Sequence, residues 1–105
     1  MTDDQILIGI GNGEYSLHDS LLDEFDIGYL ARRIVMIVRL IEESKKAIRI
    51  LFDGVSRLSG EIALDAINDE IILDFELDEP KKLKLYTTSG TSLSFFFQKM
   101  EVSWM

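Results

Sequence analysis

From Ile62 to Phe97 apolar and polar residues alternate, and the alternation stays in phase through three successive turns. That pattern is the mark of half-buried β-strands, whose side chains point to opposite faces with a period of two. Because a one-residue slip would turn every apolar side chain outward, the registers can be tested against the sequence. A two-residue turn at Asn68-Asp69 sets Ala66 opposite Ile71, Leu64 opposite Leu73 and Ile62 opposite Phe75. A loop at Glu79-Pro80-Lys81 sets Leu77 opposite Leu83 and Phe75 opposite Leu85. On the other side of the same hairpin Asp78 meets Lys82 and Glu76 meets Lys84. Opposite charges across strands contribute ~0.2–1 kcal/mol each. A further loop at Thr88-Ser89-Gly90 places glycine where a positive φ is wanted and sets Leu85 against Leu93 and Leu83 against Phe95. In the last segment Met100, Val102 and Trp104 fall out of phase with Leu93, Phe95 and Phe97, so a bulge near Gln98-Lys99 is needed to keep them inward.

The first half is less regular. Ile6, Ile8 and Ile10 alternate, and Asn12-Gly13 reads as a hairpin turn that pairs Ile10 with Tyr15 and Ile8 with Leu17. Over 29–42 apolar residues recur at helical spacing, but the density of Ile and Val favours a strand. A turn centred on Ser44 pairs Leu40 with Ile48, Val38 with Ile50, Met36 with Phe52 and Glu42 with Lys46, at the cost of setting Arg39 against Arg49. The expectation is a mainly β fold over 1–105 as a single domain. It is an antiparallel meander or sandwich of about seven to eight short strands, with room for one helix within 17–45.

Charge is sorted along the chain. The net charge is −8, yet residues 1–31 carry seven acids and no Lys or Arg, and residues 61–79 carry eight acids and no base. The intervening 32–60 and the closing 80–105 are basic on balance. An acidic chain is a poor partner for nucleic acid or anionic membrane and a good one for basic proteins. The longest purely apolar run, Ile34 to Val38, is far short of the ~20 residues that span a bilayer. The start, Met1-Thr2-Asp3-Asp4, is acidic where a secretory signal is basic, and there is no cysteine, so a cytoplasmic location is expected.

No catalytic or metal site assembles from these residues, and the chain is expected not to be an enzyme. Gly9-x-Gly11-x-Gly13 lacks the third glycine of a dinucleotide loop, because Glu14 stands there, and reads as a turn. His18, the only histidine, has Asp19 beside it but no nucleophile motif to serve, and reads as capping a strand end or turn. Asp74, Glu76 and Asp78 share one strand face and are of the type that holds a hard cation, but the register gives Glu76 and Asp78 lysine partners. No cofactor is implied. Phe96 alternates away from Phe95 and Phe97, so it is a candidate aromatic anchor for a partner.

The order of elements resembles that of small immunity proteins of bacterial polymorphic-toxin and contact-dependent growth inhibition systems. The resemblance rests on Leu17-His18-Asp19, on Phe52-Asp53-Gly54-Val55 ending a strand, and on the closing segments Leu83–Tyr86, Thr88–Gly90 and Leu93–Phe97. It implies an acidic inhibitor that binds a cognate, basic, nuclease-type toxin in its active cleft and catalyses nothing. The inhibitor would be a monomer or weak dimer when free, with no direct contact to nucleic acid or membrane. The contact residues expected are the acids without an obvious lysine partner: Asp19, Asp23, Glu24 and Asp26, then Asp65, Asp69 and Glu70. The competing expectation is a structural module that self-associates or docks through a β edge or through Phe96. A small enzyme or ligand sensor would require a deep pocket with convergent polar groups.

Overall fold

The computed structural model describes residues 2–40, 46–63 and 70–105. One helix, α1 (Asp3–Gly11), precedes eight strands: β1 (Leu21–Gly28), β2 (Arg33–Arg39), β3 (Ala47–Asp53), β4 (Ser56–Glu61), β5 (Glu70–Asp78), β6 (Lys82–Thr87), β7 (Ser92–Phe96) and β8 (Lys99–Trp104). The strands are antiparallel throughout and lie in the order β4-β7-β6-β5-β1-β2-β3-β8. The sheet is pinched at its middle. β1 and β5 share only the pairs Leu21–Ile71 and Leu22–Glu70, so β1-β2-β3-β8 and β4-β7-β6-β5 form two half-sheets.

These halves fold over one another around a shared core. Ile34, Met36 and Val38 of β2, and Ile48, Ile50 and Phe52 of β3, are almost fully buried from the first half-sheet. Ile72, Leu83, Leu85 and Phe95 meet them from the second. Phe52 and Phe95 are not ladder neighbours, yet their rings lie edge-on with centroids 5.0 Å apart, and Phe97 is 5.0 Å from Phe52 as well. Facing side chains of this kind define a sandwich.

The second-half registers agree with the pattern in the sequence. Leu77 pairs with Leu83, Phe75 with Leu85, Glu76 with Lys84 and Asp78 with Lys82. Across the next turn Leu85 pairs with Leu93 and Leu83 with Phe95. Of the hairpin expected around Asn68-Asp69, residues 64–69 lie outside the described residues, and its pair of Ile62 with Phe75 is not made. β5 has β6 and β1 as its neighbours, and Phe75 pairs with Leu85 rather than with Ile62. Nor is there a bulge within one long final strand. β7 ends at Phe96, and β8 begins at Lys99 in the other half-sheet, paired with β3. Phe97 N–H and Gln98 N–H make that crossing by donating to Lys81 O and Asp53 O.

Residues 3–11 form a helix and not the strand expected from Ile6, Ile8 and Ile10. Thr2 and Gln5 make a reciprocal capping box, and Asp3 and Asp4 stand in the first turn, where the helix dipole favours acids. Ile6 and Ile10, four apart, are buried, while Ile8 on the opposite side is 65% exposed. The helix stops at Asn12, and Gly13 follows with a φ of 82°, a conformation that glycine adopts freely. Gly9 and Gly11 are therefore helical; Asn12-Gly13 does turn, but it closes the helix and not the expected hairpin.

The region within 17–45 holds no helix among its described residues. It supplies β1, which the sequence pattern did not mark, and β2. The β2–β3 hairpin is shifted by two residues from expectation: Val38 pairs with Ile48, Met36 with Ile50 and Ile34 with Phe52. Since the period is two, the same side chains still face the core. The shift also removes the clash of arginines, because Arg39 now faces Ala47, and Arg49 faces Ile37.

Candidate protein-binding surface

The outer face of the first half-sheet carries the most distinctive surface. Two rungs cross it from β1 to β8. One reads Asp26, Val35, Leu51, Glu101; the next reads Glu24, Ile37, Arg49, Ser103. These positions alternate with the core residues of the same strands and so point away from the core. Val35 and Ile37 are half-buried and Leu51 is 9% exposed, although the core lies on the other side. An apolar centre with a charged rim is the anatomy of a protein interface.

Charge on this face is partly committed. Arg33 donates to Asp53 at 2.7 Å, Lys99 lies 2.7 Å from Glu101, and Arg39 donates twice to Asp23, at 3.0 and 3.1 Å. The hydrogen bond and negative charge of Glu101 hold the exposed Lys99 ammonium above the ordinary lysine pKa. The lysine's part in this pairing persists across neutral pH and is lost as pH rises through that elevated value. Glu24, Asp26 and Arg49 have no ion-pair partner among the described residues.

The expected contact residues do not form one cluster. Glu24 and Asp26 stand on β1, exposed and on neighbouring rungs. Asp23 occupies the bulge between them and Leu22, and its carboxylate is taken by Arg39, an arginine distant in sequence. Asp19 precedes β1 with a φ of 69°; its N–H donates to Ile72 O, and its carboxylate lies 3.4 Å from His18 Nε2. His18 in turn donates from Nδ1 to Leu73 O at 2.7 Å and so latches the segment before β1 onto β5. Glu70 is half-buried and accepts from the hydroxyls of Thr87 (2.8 Å), Thr91 (3.0 Å) and Ser89. Its carboxylate is thus committed within the fold. Phe96 is half-buried rather than free, with the Lys82 amine 5.3 Å from its ring centre. Asp65 and Asp69 lie outside the described residues.

Among the described residues no group of three or more His, Cys, Asp or Glu is placed to hold a metal ion. Lys84 lies 3.4 Å from Asp78, and Asp74 faces Tyr86. Among the described residues no helix is long and apolar enough to cross a membrane.

The sequence reading missed Arg49 and Leu51, whose meaning depends on the β2–β3 register. It also missed a cleft of about 430 Å³ where the β1–β2 hairpin meets the β3–β4 turn. Arg32, Arg33 and Arg57 line it, three bases of the segment 32–60. Compared with known families and curated proteins, the chain matches no family model and no curated sequence.

Proposed function

We propose that this chain is a protein-binding inhibitor of the immunity type, which neutralises a basic, nuclease-type toxin and is not itself an enzyme. The observation that carries the reading is the pair Glu24 and Asp26. Both carboxylates are left without a cation among the described residues, at the margin of an outward face whose centre is apolar. Free carboxylates steer a basic partner into encounter, and Val35 and Ile37, half-buried around the buried Leu51, supply apolar area that is dehydrated on contact. In this reading the protein works in the cytoplasm, where a cysteine-free chain forgoes nothing.

The alternative, self-association through a β edge, has a specific place in this fold. β4 ends the sheet, and its residues 57–61 are exposed. However, the ladder to β7 shifts between Ser56 and Ser59, and Arg57 stands in that irregularity. A bulge and a charge on an edge both oppose the pairing of two like strands.

The test is capture from the source lysate on the immobilised chain and on a Glu24→Lys, Asp26→Lys variant, at low and moderate salt. We expect the wild-type chain to retain a basic protein with nuclease activity. The variant should bind it at least about tenfold more slowly at low salt, since the reversal acts on steering. Recovery of no such protein, or equal capture by both forms, removes the reading. A mass that rises with concentration in sedimentation would favour the edge module instead.

A further inference from the structure

The arginine-lined cleft borders the Asp26–Val35 rung, since Gly28 and Arg33 form the next pair on the same face, but its chemistry is the opposite one. Ile27, Ile34, Val55 and Leu58 give it an aliphatic lining. Arg33 is held by Asp53, but Arg32 and Arg57 have no ion-pair partner among the described residues. Both are exposed, and both adopt left-handed backbone conformations, with φ of 53° and 55°. Glycine or asparagine is the usual occupant of such positions, so the backbone alone does not explain an arginine at either. The two turns are tied together there, since Val55 N–H donates to Arg32 O at 2.8 Å. Beside the cleft the hairpin tip presents Tyr29, 87% exposed, and Leu30, fully exposed.

We propose that this cleft binds an acidic, extended segment of a protein, with Arg32 and Arg57 receiving its carboxylates and the aliphatic lining taking an apolar side chain between them. Guanidinium forks suit carboxylates, and Tyr and Arg are over-represented where protein partners are gripped. The cleft opens beside β4, whose exposed edge offers backbone groups to an extended chain. Tyr29 itself lines the cleft and Leu30 follows it fully exposed, apolar surface that suits an occupant larger than a small anion.

The experiment uses the ¹⁵N-labelled full chain and an acetylated, amidated Glu-Leu-Glu-Leu-Glu peptide as probe. Its Gln-Leu-Gln-Leu-Gln analogue and inorganic phosphate serve as comparators. The acidic peptide should shift the amide and Arg Nε signals of Arg32 and Arg57 and the amide of Gly28. Its affinity should fall at least about tenfold in an Arg32→Gly, Arg57→Gly variant and for the Gln analogue, a loss typical of charge-assisted contacts. Glycine suits both backbone conformations, so this variant keeps the fold, and a loss of binding reads the side chains alone. Arg49→Gln, outside the cleft, should leave affinity unchanged. The proposal is overturned if the peptide leaves the cleft signals unmoved at millimolar concentration. It is equally overturned if the glycine variant binds as well, or if phosphate alone moves the same signals as strongly, which would make the cleft a small-anion pocket. None of these outcomes bears on Glu24 and Asp26, so the acidic face and the cleft stand or fall separately.

Discussion

Gly60 shows how a single residue controls the edge of this sheet. Its φ is 125°, and a Cβ placed there would lie 1.9 Å from the carbonyl oxygen of Ser92 on β7. The contact is backbone against backbone, so no side chain can rotate away to relieve it. Alanine at this position must either strain its own dihedrals or push β4 off β7, and Gly60→Ala should cost more than about 2 kcal/mol. Urea unfolding measures this directly, and wild-type stability in the variant would mean that β4 is not held as described. Arg32 and Arg57 are strained in the same sense without glycine's freedom, at about 1–3 kcal/mol each. None of these three positions was legible in the sequence. A positive φ at arginine leaves no mark in composition or periodicity, and Gly60 looks like any glycine in an alternating run.

At the scale of elements, legibility followed the number of independent checks that each pairing offered. The β5–β6 hairpin had apolar pairs on one face and opposite charges on the other, and both agreed, so its register was readable. The β2–β3 hairpin offered apolar pairs that agree equally well when shifted by two, and one charge pair, Glu42 with Lys46, of which Glu42 lies outside the described residues. Arg39 opposite Arg49 was the one sign that the register was displaced, and Asp23 was too far away in sequence to be recognised as the partner of Arg39. α1 was misread because Ile6, Ile8 and Ile10 satisfy a strand pattern, while the capping box of Thr2 and Gln5 is silent about alternation. The two assignments make opposite forecasts for Ile8. In a strand the three isoleucines share a face, and all of them matter. In the helix Ile8→Lys should change stability by no more than about 0.5 kcal/mol, while Ile6→Ala should cost about 2–5 kcal/mol. Thermal melts of the two variants decide it, and equal losses would argue for the strand.

At the scale of the whole molecule, the question is whether the two half-sheets behave as one body. Their ladder connection is slight, only the pairs Leu21–Ile71 and Leu22–Glu70. The radius of gyration is 12.9 Å, close to the ~13 Å expected of a compact domain of about 100 residues, so the halves are packed and not merely tethered. The packing is concentrated where Phe52 of β3 meets Phe95 of β7, two fully buried rings from opposite halves. Removing the Phe95 ring should therefore destabilise the first half-sheet as much as the second, by about 3–5 kcal/mol in total. That is a large part of the ~5–15 kcal/mol that holds such a domain together. Trp104, the only tryptophan, lies on β8 and reports on the first half-sheet, while far-UV circular dichroism reports on both. In Phe95→Ala the two signals should move to a lower denaturant midpoint together, as in a two-state transition. A circular dichroism midpoint that falls while the Trp104 midpoint stays would show that the halves unfold independently. The outcome matters for binding, because Glu24, Asp26 and the apolar residues between the rims all sit on the first half-sheet. With one cooperative core, that face is backed by side chains contributed from β5, β6 and β7, and its rigidity is a property of the whole chain.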